Sequence, residues 1–274
     1  MISLVQAACP HSARKPLVQP LPAGQALYRS VAGQPTREYF LYIPQSRPAA
    51  RLVVLMHGIS ENACEQVLRF APEAEKAGAV LVAPLMRRAI FGQYQQLIDP
   101  RQGIRADLAL EDILHSVRLD IGLDAAPFDM FGFSGGGQFA HRFALLNPRA
   151  VRSCVVVAPG WFTFPDDQAP YPAGLAQVPD CLPPLDEAAV CTIPFHVIVG
   201  DQDTARDASL RRSARLDRQQ GRTRLERAER WHQAMRGWGA DPRSSLTILP
   251  QLRHSFAGAV RDHGLAALTF RLFG

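Results

Sequence analysis

Short, mainly apolar runs alternate with amphipathic stretches along most of the chain. Residues 51–56, 80–84, 128–133, 154–157, 195–199 and 246–249 are too short for helices and lack a polar face, the pattern of strands buried on both sides. Between them, residues 105–121 place Leu110, Ile113, Leu114, Val117 and Ile121 on one helical stripe. Residues 222–238 do the same with Leu225, Ala228, Trp231, Met235 and Trp238, and Glu226 with Arg230 adds an i,i+4 pair on the wet side. A helical segment ends near Phe70, Pro72 restarts a second one to Lys76, and a last helix follows His254. Residues 25–31 and 38–43 read as an antiparallel edge pair about Gly33-Gln34-Pro35. Strands alternating with helices predict an α/β fold, a mainly parallel central sheet with helices on both faces and right-handed crossovers. In such sheets the reactive groups lie beyond the carboxyl ends of the strands.

Several chemically active residues fall there. The run 128–133 ends in Gly132-Phe133-Ser134-Gly135-Gly136, and an amphipathic stretch to Leu146 follows at once. A serine at so sharp a strand-to-helix turn needs strained backbone angles, and glycines on either side remove the side chains that would collide. Its hydroxyl is left exposed, and the first amides of the new helix point at it. Gly135 N–H is one expected oxyanion donor, and Ile59 N–H, freed by the turn at His57-Gly58, is the second.

The strand at 195–199 runs into Gly200-Asp201-Gln202-Asp203, and the strand at 246–249 runs toward Arg253-His254-Ser255. A serine hydroxyl needs a base to take its proton, histidine is the side chain suited to that, and a carboxylate fixes the imidazole tautomer. Ser134, Asp203 and His254 are the expected set. Asp203 is preferred over Asp201, which sits where the chain is still leaving the strand and could instead bond loop amides. Among the other histidines, His196 lies mid-strand, His232 on a helix, and His57 beside the oxyanion turn, which it is expected to orient. His263, inside the last helical stretch, is the one rival base.

With these residues the chain resembles the α/β-hydrolase family from Glu38 to Phe273. The His57-Gly58-x-x-x-Asn62-Ala63 turn together with Gly132-Phe133-Ser134-Gly135-Gly136-Gly137 is most similar to its esterase and polyhydroxyalkanoate-depolymerase-like branch. The resemblance implies a serine esterase with Ser134 as nucleophile, Asp203 as acid, His254 as base and the Ile59 and Gly135 amides as oxyanion donors. The expected substrate is a small or medium carboxylic ester. A thioesterase or acyltransferase using the same three residues is the alternative. No export signal or substrate-binding module of the secreted depolymerases is visible, which argues against a polymer.

Composition narrows the picture further. A length of 274 residues suits one α/β domain, expected over 23–274, behind a poorly ordered, proline-containing arm at 1–22. The net charge of +5 is carried almost wholly by arginine, densest over 206–236 and interrupted there by acids. A solvated helical face, rather than nucleic-acid binding, is the expected meaning. Five scattered cysteines indicate neither a zinc site nor a disulfide framework, although Cys181 and Cys191 could bridge a loop. No apolar run is long enough for a membrane span and no secretory signal is seen, so a cytoplasmic enzyme without metal or organic cofactor is expected. Residues 159–194 form a long proline-rich connection on the catalytic side, expected as a small lid or pocket wall. Trp161 and Phe162 from it, and Tyr94 from the earlier loop, are the expected substrate-contacting side chains.

Overall fold

The computed structural model describes residues 21–45, 51–124 and 126–274, so the expected N-terminal arm lies outside the described residues except for its last two positions. Eight strands form the central sheet: β1 (Ala26–Val31), β2 (Gln34–Tyr42), β3 (Arg51–Met56), β4 (Ala79–Pro84), β5 (Phe128–Phe133), β6 (Val151–Val157), β7 (Phe195–Gly200) and β8 (Ser245–Leu249). Their spatial order is β1-β2-β4-β3-β5-β6-β7-β8. The β1–β2 hairpin joins through antiparallel β2–β4 pairing, and every later neighbour is parallel. A separate two-stranded pairing joins Ile98–Asp99 to Ile104–Arg105.

Period-two alternation sends successive strand residues to opposite layers. Leu52, Val54 and Met56 of β3 enter one apolar cluster, while Val53 and Leu55 enter the other. The first layer packs against α2 (Ala106–Ile121), α3 (Gly135–Leu146) and a helix at Arg224–Trp238. The second packs against α1 (Ala63–Ala77) and the C-terminal pair Phe256–His263 and Leu265–Phe273. In chain order these last three are α5, α6 and α7, after α4 (Ala214–Gln220).

Three local expectations are corrected. Pro72 sits inside one continuous helix, α1, instead of restarting a second. Its missing N–H would have served Leu68, on the wet side of the helix, where water can replace it. The last helix is two, broken where Gly264 takes a left-handed φ of 58°. The arginines of 206–236 are not all on a solvated face: Arg224 and Arg227 are fully buried. Arg227 donates to the carbonyls of Gly221 and Arg211 and pairs with Asp217, so its charge is compensated inside the fold. Cys181 and Cys191 are both free thiols.

Candidate active site

The centre of the site is made by backbone contact between β3 and the turn after β5. Ser134 takes φ 54°, ψ −112°, outside the usual regions for a side-chain-bearing residue, and caps the start of α3. Gly136 allows this because a Cβ there would stand 1.9 Å from the Met56 carbonyl oxygen. With only hydrogen at that position, the end of β3 lies directly against the new helix. The 57–61 turn is thereby brought to the serine, and Ile59 N lies 3.6 Å from where a Cβ on Gly135 would be. Among the described residues the Ile59 amide donates no hydrogen bond, so it is free to meet a ligand.

His57 holds that turn. Its Nε2 accepts from the Met86 amide at 2.9 Å, which leaves Nδ1 protonated to donate to the Gly58 carbonyl at 2.6 Å. Burial holds the ring's pKa below the ordinary histidine value, against the opposing pull of the Gly58 carbonyl and Glu61. Tyr94 braces the turn from beneath, its hydroxyl donating to the His57 carbonyl at 2.8 Å. Burial drives that phenol well above the usual tyrosine range, so it stays a neutral donor.

The other two expected residues come from loops at the ends of β7 and β8. Gly200 lets them cross: a Cβ there would be 1.9 Å from the Leu252 carbonyl oxygen. The amides of Asp201 and Gln202 donate to Leu249 and Leu252, which ties the two loops together. His254 then stacks on Phe133 and reaches Ser134, with Nε2 to Oγ at 3.0 Å and Nδ1 to Asp203 Oδ2 at 2.7 Å. A carboxylate can only accept, so Nδ1–H donates to it and Nε2 of the neutral ring is left to accept the serine proton. Asp201 has its side chain exposed and takes part only through its backbone.

One residue at this site was missed from the sequence. The second oxygen of Asp203 meets Arg224 Nη1 at 3.3 Å, and the pair is buried. Arg224 also donates to Ser209 Oγ at 2.7 Å. A charged residue on the apolar side of a helical stripe was the available signal, since such a residue is buried only with a partner.

The three expected substrate contacts separate. Tyr94 lines a cavity of ≈ 320 Å³ that runs along the 57–61 turn and reaches Ala208, in the loop after Asp203. Trp161 is nearly buried, with the guanidiniums of Arg142 and Arg211 over its ring at 4.3 and 4.9 Å. Phe162 is a correction: it is fully buried and stacks on Trp231 with centroids 4.8 Å apart, so it presents no surface to a ligand. The beginning of the expected lid is firmly fastened. Gln220 bonds both the amide and the carbonyl of Phe162, His141 Nε2 accepts from the Thr163 amide, and Trp231 donates to the Thr163 carbonyl. Residues 160–163 are a fixed wall.

The described residues hold no cluster of His, Cys, Asp and Glu able to bind a metal ion and no helix long and apolar enough to cross a membrane. With sheet order and site on view, the fold is that of the α/β hydrolases. A poly(aspartic acid) hydrolase from Sphingomonas sp. KT-1 superposes with a TM-score of 0.74 at 23% identity, covering 91% of this chain and 99% of the other. The poly(3-hydroxybutyrate) depolymerase LpqC from Bordetella parapertussis gives 0.69 at 24% identity, covering 92% and 95%. An S-formylglutathione hydrolase from Agrobacterium tumefaciens gives 0.55 at 19% identity, covering 86% and 90%. No protein-family model and no curated protein matches the chain.

Proposed function

We propose that the protein is a serine-dependent hydrolase of small or medium carboxylic esters. The observation that carries the reading is the hydrogen-bonded chain from Ser134 Oγ through His254 to Asp203, with distances of 3.0 and 2.7 Å. Ser134 attacks the ester carbonyl while His254 Nε2 takes its proton, and the charge that develops on the carbonyl oxygen is met by the Ile59 and Gly135 amides. His254 returns the proton to the leaving alcohol as the acyl-enzyme forms. It then takes a proton from water, whose oxygen attacks the acyl carbon, and passes that proton to Ser134 Oγ as the acyl–Oγ bond breaks and the carboxylic acid leaves. Asp203 holds the imidazole in the tautomer both halves need and stabilises its cation. The similar structures, named as a poly(3-hydroxybutyrate) depolymerase, a poly(aspartic acid) hydrolase and an S-formylglutathione hydrolase, support hydrolysis at this level.

The test is steady-state turnover of p-nitrophenyl acyl esters beside thioesters of the same acids. Wild type should turn over the oxygen esters, and Ser134→Ala should lose on the order of 10⁶-fold in kcat, the scale of removing such a nucleophile. A preference for thioesters would replace the ester reading with the thioesterase one.

A further inference from the structure

The far side of the cavity beside the 57–61 turn is basic. Arg88, Gly92 and Gln93 form its border with a second recess of ≈ 510 Å³, whose walls add Arg101 and Arg211. Elsewhere on the surface five arginines, Arg29, Arg37, Arg149, Arg243 and Arg261, each meet an aspartate, while exposed Arg215, Arg236, Arg253 and Arg271 stand apart from one another without a carboxylate among the described residues. Among the described residues, the guanidiniums of Arg88, Arg101 and Arg211 meet none. The two carboxylates in the same walls are engaged by backbone, Glu61 by the Arg88 amide at 2.7 Å and Asp99 by the Arg101 amide at 3.0 Å.

Beneath the recess the positive charge is stacked more deeply. Arg142 is fully buried, donates to the carbonyl of Gln95 in the cavity wall at 2.6 Å, and shares the Trp161 ring with Arg211. Its Nη2 is buried and has no partner among the described residues. Burial pushes the Arg142 guanidinium down to about 10; Tyr171 opposes the fall and the charge of Arg211 adds to it. Two cations on one indole without a counter-anion repel each other, and an anion arriving at the recess relieves that repulsion.

We propose that this recess binds the oxyanion tail of the substrate, making the preferred substrate an ester that carries a second, anionic group remote from the scissile bond. Guanidinium forks suit carboxylate and phosphate alike, so both are within its chemistry. The inference rests on the ester hydrolase reading of Ser134, because the recess borders the cavity that runs along the turn facing that serine.

The experiment compares kcat/KM for three matched series at low salt. One is p-nitrophenyl hemiesters of glutaric, adipic and suberic acids; one is butyrate esters of hydroxy acids; the third is phosphonate-ended analogues. Each is set against its methyl-capped neutral counterpart. At least a 10-fold preference for an anionic member in any series, falling as salt is raised, is expected. Carboxylate against phosphonate then identifies the anion. In Arg88→Gln/Arg211→Gln the ratio should fall toward one with the melting temperature unchanged, and Arg88→Lys/Arg211→Lys should restore part of it. Equal turnover of charged and neutral esters by wild type overturns the proposal and leaves the esterase reading standing. Should Ser134→Ala turn over esters as fast as wild type, the esterase reading falls instead. Calorimetry then decides: glutarate or phosphate binding that the Gln variant loses supports the recess, and no binding of either overturns it.

Discussion

Ser134 and Asp203 are held in place by different kinds of force. On the serine side the work is done by backbone: a bare Gly136, the end of β3 and a buried His57 leave the turn no other shape. On the aspartate side it is done by charge, since Asp203 lies in an irregular loop and is fixed by His254 on one oxygen and the buried Arg224 on the other. Steric exclusion at Gly136 tolerates no substitution and is indifferent to salt. A buried ion pair contributes little net stability and becomes costly when one partner is removed. The two halves should therefore fail in different ways.

The largest contrast is between the two aspartates. Asp203→Asn should preserve the fold and lose on the order of 10⁴-fold in kcat, because the amide leaves the imidazole in the wrong tautomer. Asp201→Asn, exposed and bonded only through its backbone, should stay within a few-fold of wild type. Stopped-flow ester turnover separates them, and a reversal would move the acid to Asp201. On the serine side, Gly136→Ala drives a methyl into the Met56 carbonyl. Moving the 57–61 turn by about 1 Å to accommodate it should cost at least 10²-fold in kcat. High salt should not restore it.

Arg224 gives a smaller and more diagnostic effect. Arg224→Met leaves Asp203 buried with a single partner, so stability should drop by about 3 kcal/mol. We expect kcat to fall on the order of 10-fold to 10²-fold with KM nearly constant, because the residue positions the acid and does not touch substrate. Arg224→Lys should recover part of both. Denaturant melts and a kcat-against-KM comparison read this directly; a change confined to KM would instead put Arg224 in substrate binding.

The difference between the halves also explains what the sequence could tell. Strands, α2 and the nucleophile turn follow from spacing within a few residues, where glycine and apolar periodicity state the geometry locally. Asp203 and His254 were legible as residues just past strands, but what holds Asp203 was not. Arg224 and Arg227 sit in an arginine-rich helix whose composition resembles a wet surface, and the carboxylates that make their burial tolerable lie 10 or more positions away. Phe162 was misread for the same reason, since an aromatic in a proline-rich loop looks like a pocket wall until Trp231 is seen stacked upon it. The α4 helix, a short polar segment without an apolar stripe, left no periodic signal.

The smallest expected effect concerns pH. His57 and His141 are both buried as neutral rings; burial lowers both, and the nearby charge of Arg142 further lowers His141. The unfolded chain binds protons that the folded chain refuses, so stability from these rings is full above about pH 6.5 and declines as pH falls below it. His141 donates to the Gly137 carbonyl and accepts from the Thr163 amide, a pattern glutamine can reproduce without titrating. Thermal melts of His141→Gln should therefore show a shallower loss of Tm between pH 7 and pH 5 than wild type.

The central claim is that Ser134, activated by His254, is the nucleophile. The direct measurement is intact-mass analysis and peptide mapping after reaction with a fluorophosphonate. The account predicts one adduct per chain on the peptide containing Ser134, absent in Ser134→Ala and formed far more slowly in His254→Ala. An adduct on another residue, or labelling that persists in Ser134→Ala, would contradict it.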